Sequence, residues 1–196
     1  MFRVPLLIAL ALSIAFGGGI VSTLYALNVT TGFGAIRLGA WEAFPNAQTA
    51  AADPYAKSHR ARAGNLLYGN AEGLAFSASV DDAGGRLVSG CSYAVSGQTP
   101  HARLWTLYAG NTGGQPFAVN PALPAGLNSW TVVRETDSSF TITVSARAQP
   151  GNWLPLPTGN VPFRLTLTLL DTPTAGSSGL IDLSMPKVSL LGCGDA

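Results

Sequence analysis

The chain has 196 residues, 47% of them apolar and only 11% charged, with Lys and Arg at 11 against Asp and Glu at 10. A near-neutral, charge-poor chain argues against a phosphate-tracking nucleic-acid binder, which needs a basic face. It also argues against disorder, which needs high charge and few apolar residues. Gly at 23 and Pro at 13 favour many turns over long helices.

The first element in chain order is apolar. Val4 to Leu27 carries no charge, with Arg3 before it and Arg37 the next charged residue. That run is long enough to cross a hydrocarbon core of about 30 Å as a helix. Positive charge lies on the short N-terminal side, which places the N-terminus in the cytoplasm and the chain beyond about residue 30 outside. The rival reading is a cleaved signal peptide, whose apolar core is shorter and is followed by a small-x-small site. Residues 21–28 offer no good site of that kind. An uncleaved signal anchor over residues 1–30 is therefore expected. Ala11, Ala15, Gly19 and Thr23 recur every fourth residue and share one helix face. Small residues on one face let a second helix approach, either another membrane protein or a second copy. Such residues are also common in membrane helices without that role. Asn28-Val29-Thr30 matches a glycosylation acceptor pattern at the membrane edge.

The remainder of the chain is charge-balanced, which argues against steering to anionic polymers. Residues 31–64 read as an approach segment with one short helix. Asp53-Pro54 is a good helix start, and Tyr55 to Ala63 a helix stopped near Gly64-Asn65. From residue 65 to 196 the pattern is that of strands. Leu74, Phe76, Ala78 and Val80 alternate, Asp81-Asp82-Ala83-Gly84-Gly85 supplies a turn, and Leu87-Val88 follows. Ala102 to Tyr108, Trp130 to Arg134, Phe140 to Ala146, Phe163 to Leu170 and Met185 to Leu191 continue the series. The expected fold is mainly β, an antiparallel β-sandwich or jelly-roll-like domain with one N-terminal membrane helix and one short helix. Cys91 and Cys193 both lie outside by this topology, where an oxidising compartment lets them pair. Two free thiols are the other reading.

Three segments carry a resemblance. Gly151-Asn152-Trp153-Leu154-Pro155-Leu156-Pro157, Leu104-Trp105-Thr106-Leu107-Tyr108 and Asp82-Ala83-Gly84-Gly85-Arg86-Leu87 resemble signatures of the bacterial family called domain of unknown function 1214. The likeness runs over about residues 65–192. It implies a β-rich fold of bacterial origin, with no settled activity. Family members are often fused or adjacent to a second uncharacterised domain, domain of unknown function 1254. Leu169-Leu170-Asp171 stands where the family resemblance implies a more aromatic strand end.

Catalytic signals are sparse. His59 and His101 are the two histidines, too few for a zinc site once the cysteines pair, so no metal and no cofactor is expected. There is no nucleophile elbow, phosphate-binding loop or dinucleotide fingerprint. Asp81, Asp82, Asp137 and Asp171 sit in turns, where Asp normally bonds the local backbone. Trp153 offers a flat face beside Asn152 and two stiffening prolines, either to stack on a ligand such as a sugar ring or to plug the sandwich. If Arg103 and Arg164 converged on it, they would form an anion or sugar pocket.

Two functions follow. The first is a single-pass inner-membrane protein, N-terminus cytoplasmic, whose periplasmic sandwich is a binding or assembly module and not an enzyme. The second is an envelope hydrolase or carbohydrate-active domain with its site near Trp153.

Overall fold

The computed structural model describes residues 3–29, 35–44, 52–63, 73–172 and 184–194. Helix α1 spans Arg3–Val29. Strands β1 (Ile36–Leu38) and β2 (Trp41–Ala43) follow, then helix α2 (Pro54–Ala63). The β domain continues with β3 (Gly73–Ala78), β4 (Cys91–Gly97), β5 (Leu104–Gly110), β6 (Leu127–Asn128) and β7 (Phe140–Ser145). It ends with β8 (Asn152–Pro155), β9 (Arg164–Leu170) and β10 (Lys187–Cys193). Helix α2 starts as Asp53-Pro54 requires: Asp53 Oδ1 accepts the Ala56 N–H at 3.1 Å. The helix stop at Gly64-Asn65, Thr30 of the acceptor pattern and the side chains of His59 and Arg62 lie outside the described residues.

The strands form a six-stranded sheet, ordered β1-β2-β3-β9-β5-β6, and a four-stranded sheet, ordered β10-β4-β7-β8. The chain is mainly β, built from two sheets. Alternation sends Leu165, Leu167 and Leu169 of β9 and Trp105 and Leu107 of β5 into the core. Tyr93, Val95, Ile142, Val144 and Leu154 face them from the smaller sheet. Trp105 lies against Phe140 with ring centroids 5.0 Å apart, and Tyr93 meets Phe163 edge-on at 5.7 Å. These pairs weld the two layers. Burial pushes the Tyr93 phenol above its usual range, against the lowering effect of the Val88 amide. Its neutral hydroxyl accepts that N–H at 3.0 Å and donates to the Arg86 carbonyl at 3.3 Å.

Three features differ from the sequence reading. β8 pairs with β7 in parallel, so the smaller sheet is mixed. Trp130 to Arg134, expected as a strand, is a turn. Asn128 Oδ1 accepts from the N–H groups of Trp130 and Thr131, and that local bonding outcompetes the β preference of Thr and Val. The approach segment does not stand apart from the β domain: β1 and β2 extend the larger sheet through β3, and Trp41 is buried in the common core.

The last strand is tied to the first hairpin. Trp41 Nε1 donates to the Pro186 carbonyl at 2.6 Å. Asp82 Oδ1 accepts the Ala40 N–H at 2.9 Å, and Oδ2 accepts the Val188 N–H at 2.7 Å. The Asp82 N–H returns a bond to the Val188 carbonyl at 2.9 Å. Gly39 makes room for this: its φ is +59°, and a Cβ there would stand 2.5 Å from Asp82 Oδ1. At the far end of β10, Cys193 lies opposite Cys91 in register, and the two form a disulfide.

Replacing Asp82 by Ala strands two backbone N–H groups and is expected to lower stability by about 1–3 kcal/mol in urea melts. Asp171→Asn, which breaks the exposed 3.0 Å ion pair with Arg103 and keeps a residue that tolerates the positive φ there, should cost at most about 1 kcal/mol. Reducing the disulfide, which closes a separation of 102 residues, should cost about 2–4 kcal/mol.

Candidate functional site

The four residues singled out for ligand binding do not meet. Arg164 lies opposite Gly110 at one end of the β5–β9 ladder, while Leu104, next to Arg103, lies opposite Leu170 at the other. Six residues of strand separate those ends, about 20 Å. Asn152 and Trp153 belong to the other sheet, on its β8 edge. The anion or sugar pocket therefore is not assembled from these side chains.

Each of the four has a local setting. Asn152 is a fastener: its Oδ1 accepts the Val133 N–H at 2.8 Å, and its Nδ2 donates to the carbonyls of Val133 at 2.8 Å and Thr141 at 3.0 Å. It pins the 129–135 turn to the edge of the smaller sheet. Trp153 is half-buried, and its N–H donates to the Ser145 carbonyl at 3.0 Å. The core beneath this edge is filled by Leu154 and Leu156, both buried, and alternation turns Trp153 to the opposite face from Leu154. Arg103 is exposed and paired with Asp171, whose φ is +51°. Arg164 is half-buried, and its Nε has no partner among the described residues.

The turn carboxylates serve the backbone. Asp81 is buried, and its Oδ1 accepts from Ala83 N–H at 3.0 Å and Gly85 N–H at 2.7 Å. Asp82 bridges the two sheets as described. Asp137 accepts from the hydroxyl and N–H of Ser139, bonds that hold its carboxyl below the usual range. Among the described residues no group of three His, Cys, Asp or Glu side chains is placed to hold a metal ion. On α1, Ala15, Gly19 and Thr23 line a shallow groove together with Phe16, Ile20 and Leu24; Ala11 lies outside it. The Thr23 hydroxyl is spent within its own helix, on the Gly19 carbonyl at 2.8 Å.

A cluster that sequence reasoning missed sits around the 127–139 turn. The Arg134 guanidinium carbon lies 5.8 Å from the Trp105 ring centre and 5.9 Å from that of Phe140, a cation held over two core aromatics. Its Nη1 donates to the Ser138 carbonyl at 3.1 Å. Val132 is buried, while its neighbours Trp130 and Val133 point outward. The available signal was Asn128-Ser129, a turn pair preceding what otherwise reads as a strand.

Fold and side-chain placement thus define a two-sheet β domain, closed by a disulfide and preceded by an apolar helix, whose distinctive polar residues mostly build structure. The chain belongs to the family described as protein of unknown function (DUF1214), whose family model matches residues 72–174. Among solved structures it is similar to the VPA0106 protein from Vibrio parahaemolyticus, with 21% identity and a TM-score of 0.55 over 70% of this chain and 34% of that one. A looser likeness, with 17% identity and a TM-score of 0.38, links it to an uncharacterized protein from Burkholderia cenocepacia, over 62% of this chain and 29% of that one. The chain thus spans about a third of the length of these structures. No curated protein matches it.

Asn152→Ala removes three hydrogen bonds and should cost about 1–3 kcal/mol in denaturant melts. It should also speed hydrogen exchange at the Val133 amide, which loses the Asn152 acceptor. Equal exchange in the two proteins would show that the turn holds itself.

Proposed function

We propose that the chain is a single-pass inner-membrane protein whose β domain lies in the periplasm and acts as a binding or assembly module of the cell envelope. The observation that carries this reading is the state of α1. The apolar side chains of Val4, Leu6, Leu7, Ile8, Leu10, Leu12 and their successors as far as Tyr25 all stand exposed. The segment Arg3–Ala26 is long and apolar enough to span a bilayer. In water such a surface would aggregate; lipid covers it at no cost to the β domain. Arg3 on the short side, with no charge before Arg37, supports a cytoplasmic N-terminus. The Cys91–Cys193 bond supports an oxidising compartment for the rest. The structural use of Asp81, Asp82 and Asn152 supports binding over catalysis.

The test is extraction of host membranes with alkaline carbonate, followed by intact mass and native mass spectrometry in mild detergent. The expected result is a carbonate-resistant chain that retains residues 1–30 and co-purifies with a second envelope component. A mature mass lacking α1 would overturn the anchor. A lone chain under all detergent conditions would overturn the assembly role.

A further inference from the structure

The two halves of β10 are held differently. The first half sits among the ties already described: Asp82 bonds both backbone groups of Val188, Trp41 reaches the Pro186 carbonyl, and the Val188 side chain is buried. Past Val188 every side chain of the strand is exposed, Leu190 and Leu191 among them at 50% and 59%. The ladder also breaks there. A register shift between Leu190 and Gly192 leaves two further pairs, Gly192 with Ser92 and Cys193 with Cys91. A chain end with so few backbone pairs and no buried side chain opens at little cost by itself. The covalent bond from Cys193 to Cys91 is therefore what holds it in place.

The two cysteines differ in access. Cys91 is 8% exposed and belongs to the core cluster, whereas Cys193 is exposed. Both neighbours of Cys193 are glycines, and a Cβ built on Gly192 or Gly194 would meet nothing within 4 Å. Open space thus flanks the backbone on either side of Cys193, room for a second protein to bring a sulfur up to it. Exposed disulfides exchange more readily than buried ones, and the sulfur that is reached is the one attacked. Here that sulfur belongs to Cys193, and the covered Cys91 is the leaving group.

We propose that the Cys91–Cys193 disulfide is a redox latch on the end of β10, opened at Cys193 by a dithiol oxidoreductase. A thiolate of the reductant attacks Cys193 Sγ, a new S–S bond joins the two proteins, and the Cys91–Cys193 bond breaks. Cys91 leaves as a thiolate and takes up a proton from water. The reductant's second thiol gives up its proton and displaces Cys193 from the mixed disulfide. Two electrons have then passed from the dithiol, now a disulfide, to the cystine, now two thiols. The 191–193 end separates from β4, while Val188 stays seated because its ties lie before the register shift. Cys91 and Ser92 are left on an unpaired strand edge, the kind of edge that accepts another strand. The latch stands whether or not α1 is retained.

The test uses the full-length chain in mild detergent, without denaturant, treated in separate samples with glutathione and with dithiothreitol. Glutathione is a monothiol and stops at the mixed disulfide, which peptide masses locate. The expected result is glutathione on Cys193 and a free thiol on Cys91. In the dithiothreitol-reduced chain, the amide signals of residues 191–193 should shift to random-coil positions in NMR spectra, while those of Val188 and Val95 keep theirs. The double variant Cys91→Ala/Cys193→Ser should show the same pattern with no reductant. Glutathione on Cys91, or no reaction until urea is added, overturns the assignment of Cys193 as the point of attack. Signals that move equally at Val188 and Val95 show that the bond holds the whole strand and overturn the latch. Unmoved signals at residues 191–193 show that the end holds itself, and overturn it too.

Discussion

The closure of the last strand onto the first hairpin is the constraint on which the rest of this fold depends. β10 is an edge strand formed by the end of the chain, and such a segment frays unless it is tied down. The Asp82 carboxylate supplies the tie by accepting Ala40 on one oxygen and Val188 on the other. Each acceptor is charged and each donor is a backbone group, so both bonds are stronger than neutral ones. Trp41 reaches the Pro186 carbonyl beside them, and Cys193 is fastened to Cys91 at the far end. With β10 seated, β4 becomes an interior strand and the smaller sheet closes over the core. The bond between Asp82 and Val188 also occupies the outward polar groups of the edge, and a register shift at Leu190/Gly192 interrupts the ladder further along. Both features blunt strand-to-strand aggregation.

A second tie of the same kind shapes the opposite edge. Asn152 holds the turn that follows β6 against β7 and β8, and Arg134 from that turn lies over Trp105 and Phe140. The turn is thereby coupled to both sheets. Its buried member, Val132, and its outward members, Trp130 and Val133, follow from one backbone course. Residues that resemble a ligand site by composition, Asn152 foremost, are here the supports of an exposed surface.

The chain joins a helix with no covered face to a domain with a well-covered core. The two parts differ in what covers their apolar side chains. The helix leaves its apolar side chains bare, whereas the β domain hides its large ones except at a few points.

Much of this was legible in the sequence, where local rules suffice. The uncharged run after Arg3, the cap at Asp53, the alternation in β3, β5 and β9, and the structural duty of the turn aspartates all follow from period, charge and turn chemistry within a few residues. So does the burial of Trp105. Tertiary structure alone decided which strands are neighbours, and therefore what each exposed or polar group meets. Arg103 and Arg164 read alike in sequence, yet the ladder sets them at opposite ends. Asn152 read as a ligand group and became a clamp, because Val133, 19 positions away, runs past it. Trp130 read as part of a strand and became an exposed side chain, because Asn128 took its backbone for a turn. β1 and β2 carried no period long enough to detect, and they became strands because β3 offered them an edge. The physical reason is common to all four. A side chain's type and its local period restrict what it can do, but partners fixed by long-range pairing decide what it does.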